Sequence, residues 1–114
     1  MRAELESGVG VIAEEIRKAT GFIDRLRGLM YVKHLPRGHA ILLEPCNSIH
    51  TFGMRFAIDV LFLDASSRII KAIRSLSPGK IAGPVAGAHA VLETSGGSLP
   101  GNIDLEGKRL KFTE

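Results

Sequence analysis

The chain has 114 residues, 45% of them apolar and 24% charged, which is enough to fold as one domain around a single core and excludes an intrinsically disordered protein. Its net charge of +3 comes from 15 basic and 12 acidic residues scattered along the chain, so no nucleic-acid partner is expected, since that would need a clustered basic stripe. The single cysteine excludes an internal disulfide and favours a reducing compartment.

The first eight residues are polar and are predicted to be a flexible segment, followed by a single domain over residues 9–113. The segment has no apolar centre and carries two early acids, so it does not fit a secretory signal peptide. No apolar run approaches the roughly 18 residues that a membrane span needs. We therefore expect a cytoplasmic protein without a membrane span.

Residues 9–19 combine two patterns. Val9, Val11 and Ala13 alternate as in a strand, while the apolar residues of the same segment also fit one face of a helix. Two glycines at the start of the segment disfavour a helix there. We therefore predict a strand.

Residues 20–32 are predicted to form a helix with one buried apolar face. That face consists of Phe22, Ile23, Leu26, Leu29 and Met30. Thr20 is suited to cap the helix, and Pro36 marks the stop after it. Gly28 in the interior costs about 1 kcal/mol relative to Ala, which suggests that something packs closely against its bare Cα.

The rest of the chain is predicted to contain short strands joined by turns rich in Gly and Pro. The predicted strands are 40–43, 58–63, 68–74, 88–93 and 109–112. One helix among five or six short strands favours a mainly β domain with one short helix near the N-terminus. The β part is expected to be an antiparallel sandwich or a small barrel.

The polar groups best suited to a site lie in residues 46–64. This stretch begins with Cys46, His50 and Thr51 and continues into an apolar strand that contains Asp59. A polar cluster that leads into a core strand has a rigid support, as binding and catalytic groups require. We therefore take this stretch as the candidate site.

Nucleophilic and metal chemistry at this stretch are weaker hypotheses. Cys46 and His50 would form a thiolate–imidazolium pair only if the backbone brought them together, and a buried apolar role is more common for a free cysteine. The residues available to a metal are His34, His39, Cys46, His50, Asp59, His89 and Glu93. No pair of them has a metal-binding spacing, so no metal site is predicted, although ligands from separate strands would be able to converge.

Three further residues have both structural and ligand-facing interpretations. A buried Asp59 would need a partner, and a structural link from it to an arginine is the leading interpretation. The arginines available are Arg25, Arg27 and Arg55. Glu93, at the end of its predicted strand, is equally ambiguous, and Met54 is expected in the core rather than in a pocket.

Four pieces of the sequence together resemble domain-of-unknown-function family 192. They are RLRGLM at 25–30, NSIHTFGM at 47–54, IDVLFLD at 58–64 and VLE at 91–93. The resemblance spans roughly residues 9–111 and implies a compact mainly β domain, found in bacteria and archaea, with no established activity. The chain resembles the leaderless cytoplasmic type, and we expect it to be bacterial. One difference is that residues 105–108 replace the glycine and aspartate that often precede the last strand in that family.

Three functional hypotheses follow. The first is a binding module whose small pocket recognises a small molecule or a peptide. The second is a hydrolytic or metal-assisted enzyme that uses His50 with Asp59 or Glu93. The third is a structural cluster that ties the helix to the sheet. The candidate site residues are Arg25, Cys46, His50, Thr51, Met54, Asp59 and Glu93. We rank the binding module first, and the sequence assigns no cofactor.

Overall fold

In the computed structural model, which describes residues 1–8, 10–30 and 32–114, short strands dominate. The strands are β1 (Arg2–Leu5), β2 (Val11–Ala13), β3 (Glu15–Ala19), β4 (His39–Leu43), β5 (Ile49–His50), β6 (Ile58–Leu63), β7 (Ile69–Leu76), β8 (Ile81–Ala82), β9 (Ala90–Ser95) and β10 (Leu110–Thr113). The helix α1 spans Phe22–Arg27. The predicted mainly β class with a short helix near the N-terminus is confirmed.

The described strands form three open sheets. The central sheet has the order β3-β4-β9-β6-β7, a second has the order β10-β1-β2, and β5 pairs with β8. Neighbouring strands are antiparallel except for β3 and β4, which run parallel with Glu15 opposite His39. Parallel neighbours need a crossover, and the segment containing α1 provides it. Because these sheets do not close on themselves, the barrel alternative is not observed.

The central sheet is covered on both faces. One face packs against the three-stranded sheet in a cluster that includes Leu5, Ile12, Leu42, Leu61 and Leu92. The other face packs against the segments around α1 and β5 in a cluster that includes Leu29, Ile41, Ile49, Val60 and Val91. Since β4 and β6 are buried on both sides, their sequences are nearly continuous apolar runs instead of alternating ones, whereas β9 also buries the polar residues Glu93 and Thr94.

The N-terminal segment differs from its prediction. Strand β1 pairs with β2 and β10, and its residues Ala3 and Leu5 are buried. The flexible segment expected at 1–8 is therefore not observed at residues 2–5, because a strand partner near the other end of the sequence holds them. The domain start predicted at Val9 lies outside the described residues, and the extent 9–113 stays a prediction.

The helix is shorter and more exposed than predicted. It ends at Arg27 because Gly28 adopts a φ of +49°, which few residues other than glycine accept. The predicted cap at Thr20 is wrong: Gly21 takes the N-cap position without a side-chain hydrogen bond. Tyr31, in the predicted last turn, lies outside the described residues. No helix in the described part of the chain has the length and hydrophobicity that crossing a bilayer requires.

Candidate functional site

A cavity of about 390 Å³ lies between α1, the 46–54 segment and β9. This volume is within the range of small-molecule pockets. Its wall contains four large apolar side chains that are each between 49% and 69% exposed: Phe22, Leu26, Phe52 and Ile81. The cavity is therefore mainly apolar and open to solvent.

Five of the seven predicted site residues line this one cavity. They are Arg25, Cys46, His50, Met54 and Glu93. Met54 is buried and also belongs to the apolar cluster on this face of the central sheet, as its predicted core role required. The remaining two, Thr51 and Asp59, are buried elsewhere.

His50 on β5 connects this strand to α1. Its Nε2 lies 3.2 Å from the carbonyl oxygen of Leu26, and its Nδ1 accepts a hydrogen bond from the Phe52 backbone N–H at 3.2 Å. These partners require the proton on Nε2, which then donates to Leu26. The ring also stacks on Phe52 with a centroid distance of 5.5 Å. Both ring nitrogens are thus bonded to main-chain groups, which leaves neither free to act as a base.

Glu93 is the most unusual group in the cavity. It is 1% exposed, and its Oε1 has no hydrogen-bond partner among the described residues. Burial raises the pKa of its carboxyl group from 4.5 to about 8. At neutral pH Glu93 is therefore mostly a neutral carboxylic acid, because the charged form is poorly solvated there.

Cys46 is half-buried, and its thiol donates a hydrogen bond to the carbonyl oxygen of Ser48 at 3.2 Å. Burial raises the pKa of the thiol, and the nearby Glu93 adds to this effect. A raised pKa keeps the sulfur protonated at neutral pH and lowers its reactivity. The geometry therefore does not produce the thiolate–imidazolium pair of Cys46 with His50.

Thr51 and Asp59 have structural partners. The Thr51 hydroxyl donates to the Ser77 carbonyl oxygen at 2.8 Å and accepts from the Lys80 backbone N–H at 2.8 Å, which holds the segment between β7 and β8. The carboxylate of Asp59 accepts three backbone N–H bonds, from Ser75 at 2.8 Å, Gly97 at 3.0 Å and Leu99 at 3.1 Å.

The predicted link from Asp59 to an arginine is therefore wrong. Main-chain donors near the end of β7 and in the segment after β9 surround this carboxylate. Because a carboxylate that accepts several N–H bonds is well solvated by the protein, it needs no cation. Asp59 thus supports the loop geometry and does not belong to the cavity.

Metal binding receives no geometric support from the described residues, since they contain no group of three His, Cys, Asp or Glu side chains that could hold an ion.

Sequence reasoning also missed several residues in the wall of the cavity. Phe22 and Leu26 were assigned to a buried helix face, and Ile81 was assigned no role, yet all three are exposed at the cavity. Their apolar character was visible in the sequence, but the absence of a covering element was not.

The fold and the cavity together define a small mainly β domain with a mainly apolar pocket whose lining includes a buried carboxyl group. The chain matches the family DUF192, described as "Uncharacterized ACR", over residues 4–112. It belongs to this family, as the sequence resemblance predicted.

Two archaeal relatives support this assignment, and one solved structure shares the fold. UPF0127 protein PH1112 of Pyrococcus horikoshii is 38% identical over 84 residues, which cover 69% of this chain and 70% of the relative. UPF0127 protein PF1050 of Pyrococcus furiosus is 32% identical over 103 residues, which cover 86% of each chain.

One solved structure with a similar fold is that of a protein of unknown function from Novosphingobium aromaticivorans. It superposes with a TM-score of 0.81 at 16% identity, covering 97% of this chain and 84% of the other. An identity this low supports the fold alone. The bacterial source that we expected receives no support from the archaeal relatives and stays a prediction.

Proposed function

We propose that the cavity beside His50 is a binding site for a small molecule or a short peptide. The observation that carries this proposal is the Oε1 atom of Glu93, which is buried, lacks a partner among the described residues and belongs to a side chain that lines the cavity. A buried polar group without a partner costs about 1–3 kcal/mol. A ligand that supplied the missing hydrogen bond would recover part of this free energy on binding.

The wall of the cavity supports the same proposal. Phe22, Leu26, Phe52 and Ile81 expose large apolar side chains around one concave surface. Single exposed apolar residues are common, but a group of them around a concavity is typical of a ligand site. A bound ligand would remove this apolar area from water, which contributes roughly 25 cal/mol per Å².

The enzyme hypothesis draws less support from the same contacts. His50 has both ring nitrogens bonded to main-chain atoms, and Asp59 lies outside the cavity. Glu93 is the one predicted acid that remains there, and a general acid or base also needs a substrate group within hydrogen-bond reach. We therefore keep binding as the proposed function.

We also propose a cytoplasmic location, because the free thiol of Cys46 suits a reducing compartment.

The test is a thermal-shift screen of metabolites and short peptides on the wild type, Leu26→Gln and Val11→Thr. Leu26 is in the cavity wall, whereas Val11 is an exposed apolar residue on β2 outside it. Binding stabilises the native state by mass action, so a ligand should raise the Tm of the wild type and of Val11→Thr. The shift should shrink in Leu26→Gln. A shift of equal size in all three proteins, or none in any of them, would argue against a site in this cavity.

A further inference from the structure

We propose that the ligand of this cavity has an apolar body and a carbonyl oxygen that accepts a hydrogen bond from Glu93. This inference rests on the proposed binding function and specifies the chemistry of the ligand. It excludes a ligand that enters with a cationic amine. The carbonyl group can belong to a small amide or to a peptide backbone, which present the same acceptor.

The surroundings of Glu93 favour its neutral form. On β9 it lies between Ile41 of β4 and Val60 of β6, both apolar, and its carboxyl group faces the end of α1 at Gly28. A protonated carboxyl group has one O–H donor. Because Oε1 has no partner among the described residues, a ligand acceptor would complete the hydrogen bonding of this group.

The charges around the cavity disfavour the opposite chemistry. The other titratable groups that line it are Arg25, Arg27, Cys46 and His50. Two of them are permanently cationic, and apart from Glu93 the lining residues include no acid. An ammonium group would be repelled by both arginines and would require Glu93 to ionise in an apolar place. A neutral hydrogen-bond acceptor is not repelled by the arginines and does not require Glu93 to ionise.

The experiment uses three probes of similar length: hexanamide, hexylamine and N-acetylleucine methylamide. Their binding to the full chain is followed by amide chemical-shift titration at pH 6.5 and pH 9.0. The pKa of Glu93 near 8 lies between these conditions. If only the protonated form binds the amide, the affinity should fall about tenfold from the lower to the higher pH, in proportion to the competent fraction. Hexylamine should bind more weakly than hexanamide at pH 6.5.

Two variants test whether Glu93 causes the pH dependence of the affinity for hexanamide. Glu93→Gln keeps a hydrogen-bond donor but cannot ionise, so its affinity for hexanamide should be nearly the same at both pH values. Cys46→Ala removes the other group with a raised pKa and should keep the tenfold change. Tighter binding of hexylamine, or hexanamide binding that does not depend on pH in the wild type, would overturn the inference while leaving the site in place.

The three probes also distinguish an error in the proposed ligand chemistry from the absence of a binding site in this cavity. If none of them shifts the amide signals of cavity residues at any concentration, the proposed binding function fails as well. If hexanamide binds and N-acetylleucine methylamide does not, the carbonyl comes from a small molecule. The reverse preference would assign it to a peptide. The wild-type titrations alone decide the inference if a variant fails to fold.

Discussion

The carboxyl oxygen Oε1 of Glu93 lies against the bare Cα of Gly28, 3.1 Å from the position that a Cβ atom would take there. This contact joins β9 to the end of α1. It confirms the expectation that something packs closely against Gly28. The helix ends one residue earlier, at Arg27, and the positive φ of Gly28 then turns the chain at this contact.

Gly28→Ala should lower both stability and ligand binding. The new methyl group would crowd Glu93, and the φ of +49° strains any residue with a Cβ, so we expect a loss of about 1–3 kcal/mol in the free energy of unfolding. Urea denaturation measures the loss. Gly101→Ala is the matched control, because it has no positive φ and nothing within 4 Å of its Cβ position. Equal stabilities of the two variants would contradict the close contact.

Glu93 should make the stability of the fold depend on pH. Its pKa rises from 4.5 in the unfolded chain to about 8 in the folded one, so the folded chain holds a proton that the unfolded chain has lost between these values. The associated stability is fully present below pH 4.5 and is lost as the pH rises towards 8. The slope should reach roughly 1.4 kcal/mol per pH unit.

Urea denaturation at several pH values between 5 and 9 measures this slope. Glu93→Gln should flatten it, because the amide does not titrate. Glu15→Gln, an exposed substitution on β3, should keep the wild-type slope. A wild-type stability that is constant across this range would show that Glu93 is already ionised at neutral pH.

Asp59→Ala should be among the most destabilising substitutions in this chain. It leaves three backbone N–H groups without their acceptor, and hydrogen bonds to charged groups contribute about 1.5–3 kcal/mol each. We expect a loss of roughly 3 kcal/mol or more, with ligand binding to the remaining folded protein unchanged. The control is Asp104→Ala, which removes a single bond to Glu106 at the surface. Similar melting temperatures for the two variants would contradict a structural role of Asp59.

His50→Ala should lower the free energy of unfolding by about 1–3 kcal/mol, because it breaks the ring contacts with Leu26 and Phe52. It should also weaken ligand binding, since the ring holds the cavity-forming end of α1. His34→Ala, at an exposed position, should do neither. Chemical denaturation together with a ligand titration separates the two effects. Full retention of ligand affinity in a destabilised His50→Ala protein would limit His50 to a structural role.

The central strands were the most predictable part of the fold. Strand β6 has the bounds that the sequence predicts, because an apolar run interrupted only by Asp59 marks a strand covered on both faces. Strands β5 and β8 have two residues each, which is too short to show a period, and they were missed. Strand β1 was missed because its pairing depends on β10, which is distant in sequence.

The residues that line the cavity were partly predictable as a set, but their geometry was not. The motif segments brought Arg25, Cys46, His50, Met54 and Glu93 into consideration, and these five share the cavity. The partner of Asp59 was not predictable, because sequence reasoning can name cationic side chains but not the main-chain N–H groups that a turn directs at a carboxylate. The exposure of α1 was also not predictable from the sequence, since the spacing of apolar residues identifies an apolar helix face but not whether another element covers it.

On each outer strand of the central sheet, at least one backbone N–H is bonded to a group outside that sheet. The N–H of Ile16 on β3 donates to the carbonyl oxygen of Met1 at 2.9 Å, and the N–H of Ala72 on β7 donates to the carboxylate of Glu106 at 3.0 Å. Unpaired groups on an edge strand are a template for aggregation by another chain. The carboxylate of Glu106 therefore occupies the N–H of Ala72 on this outer strand, so that this group is not available to pair with a strand of another chain.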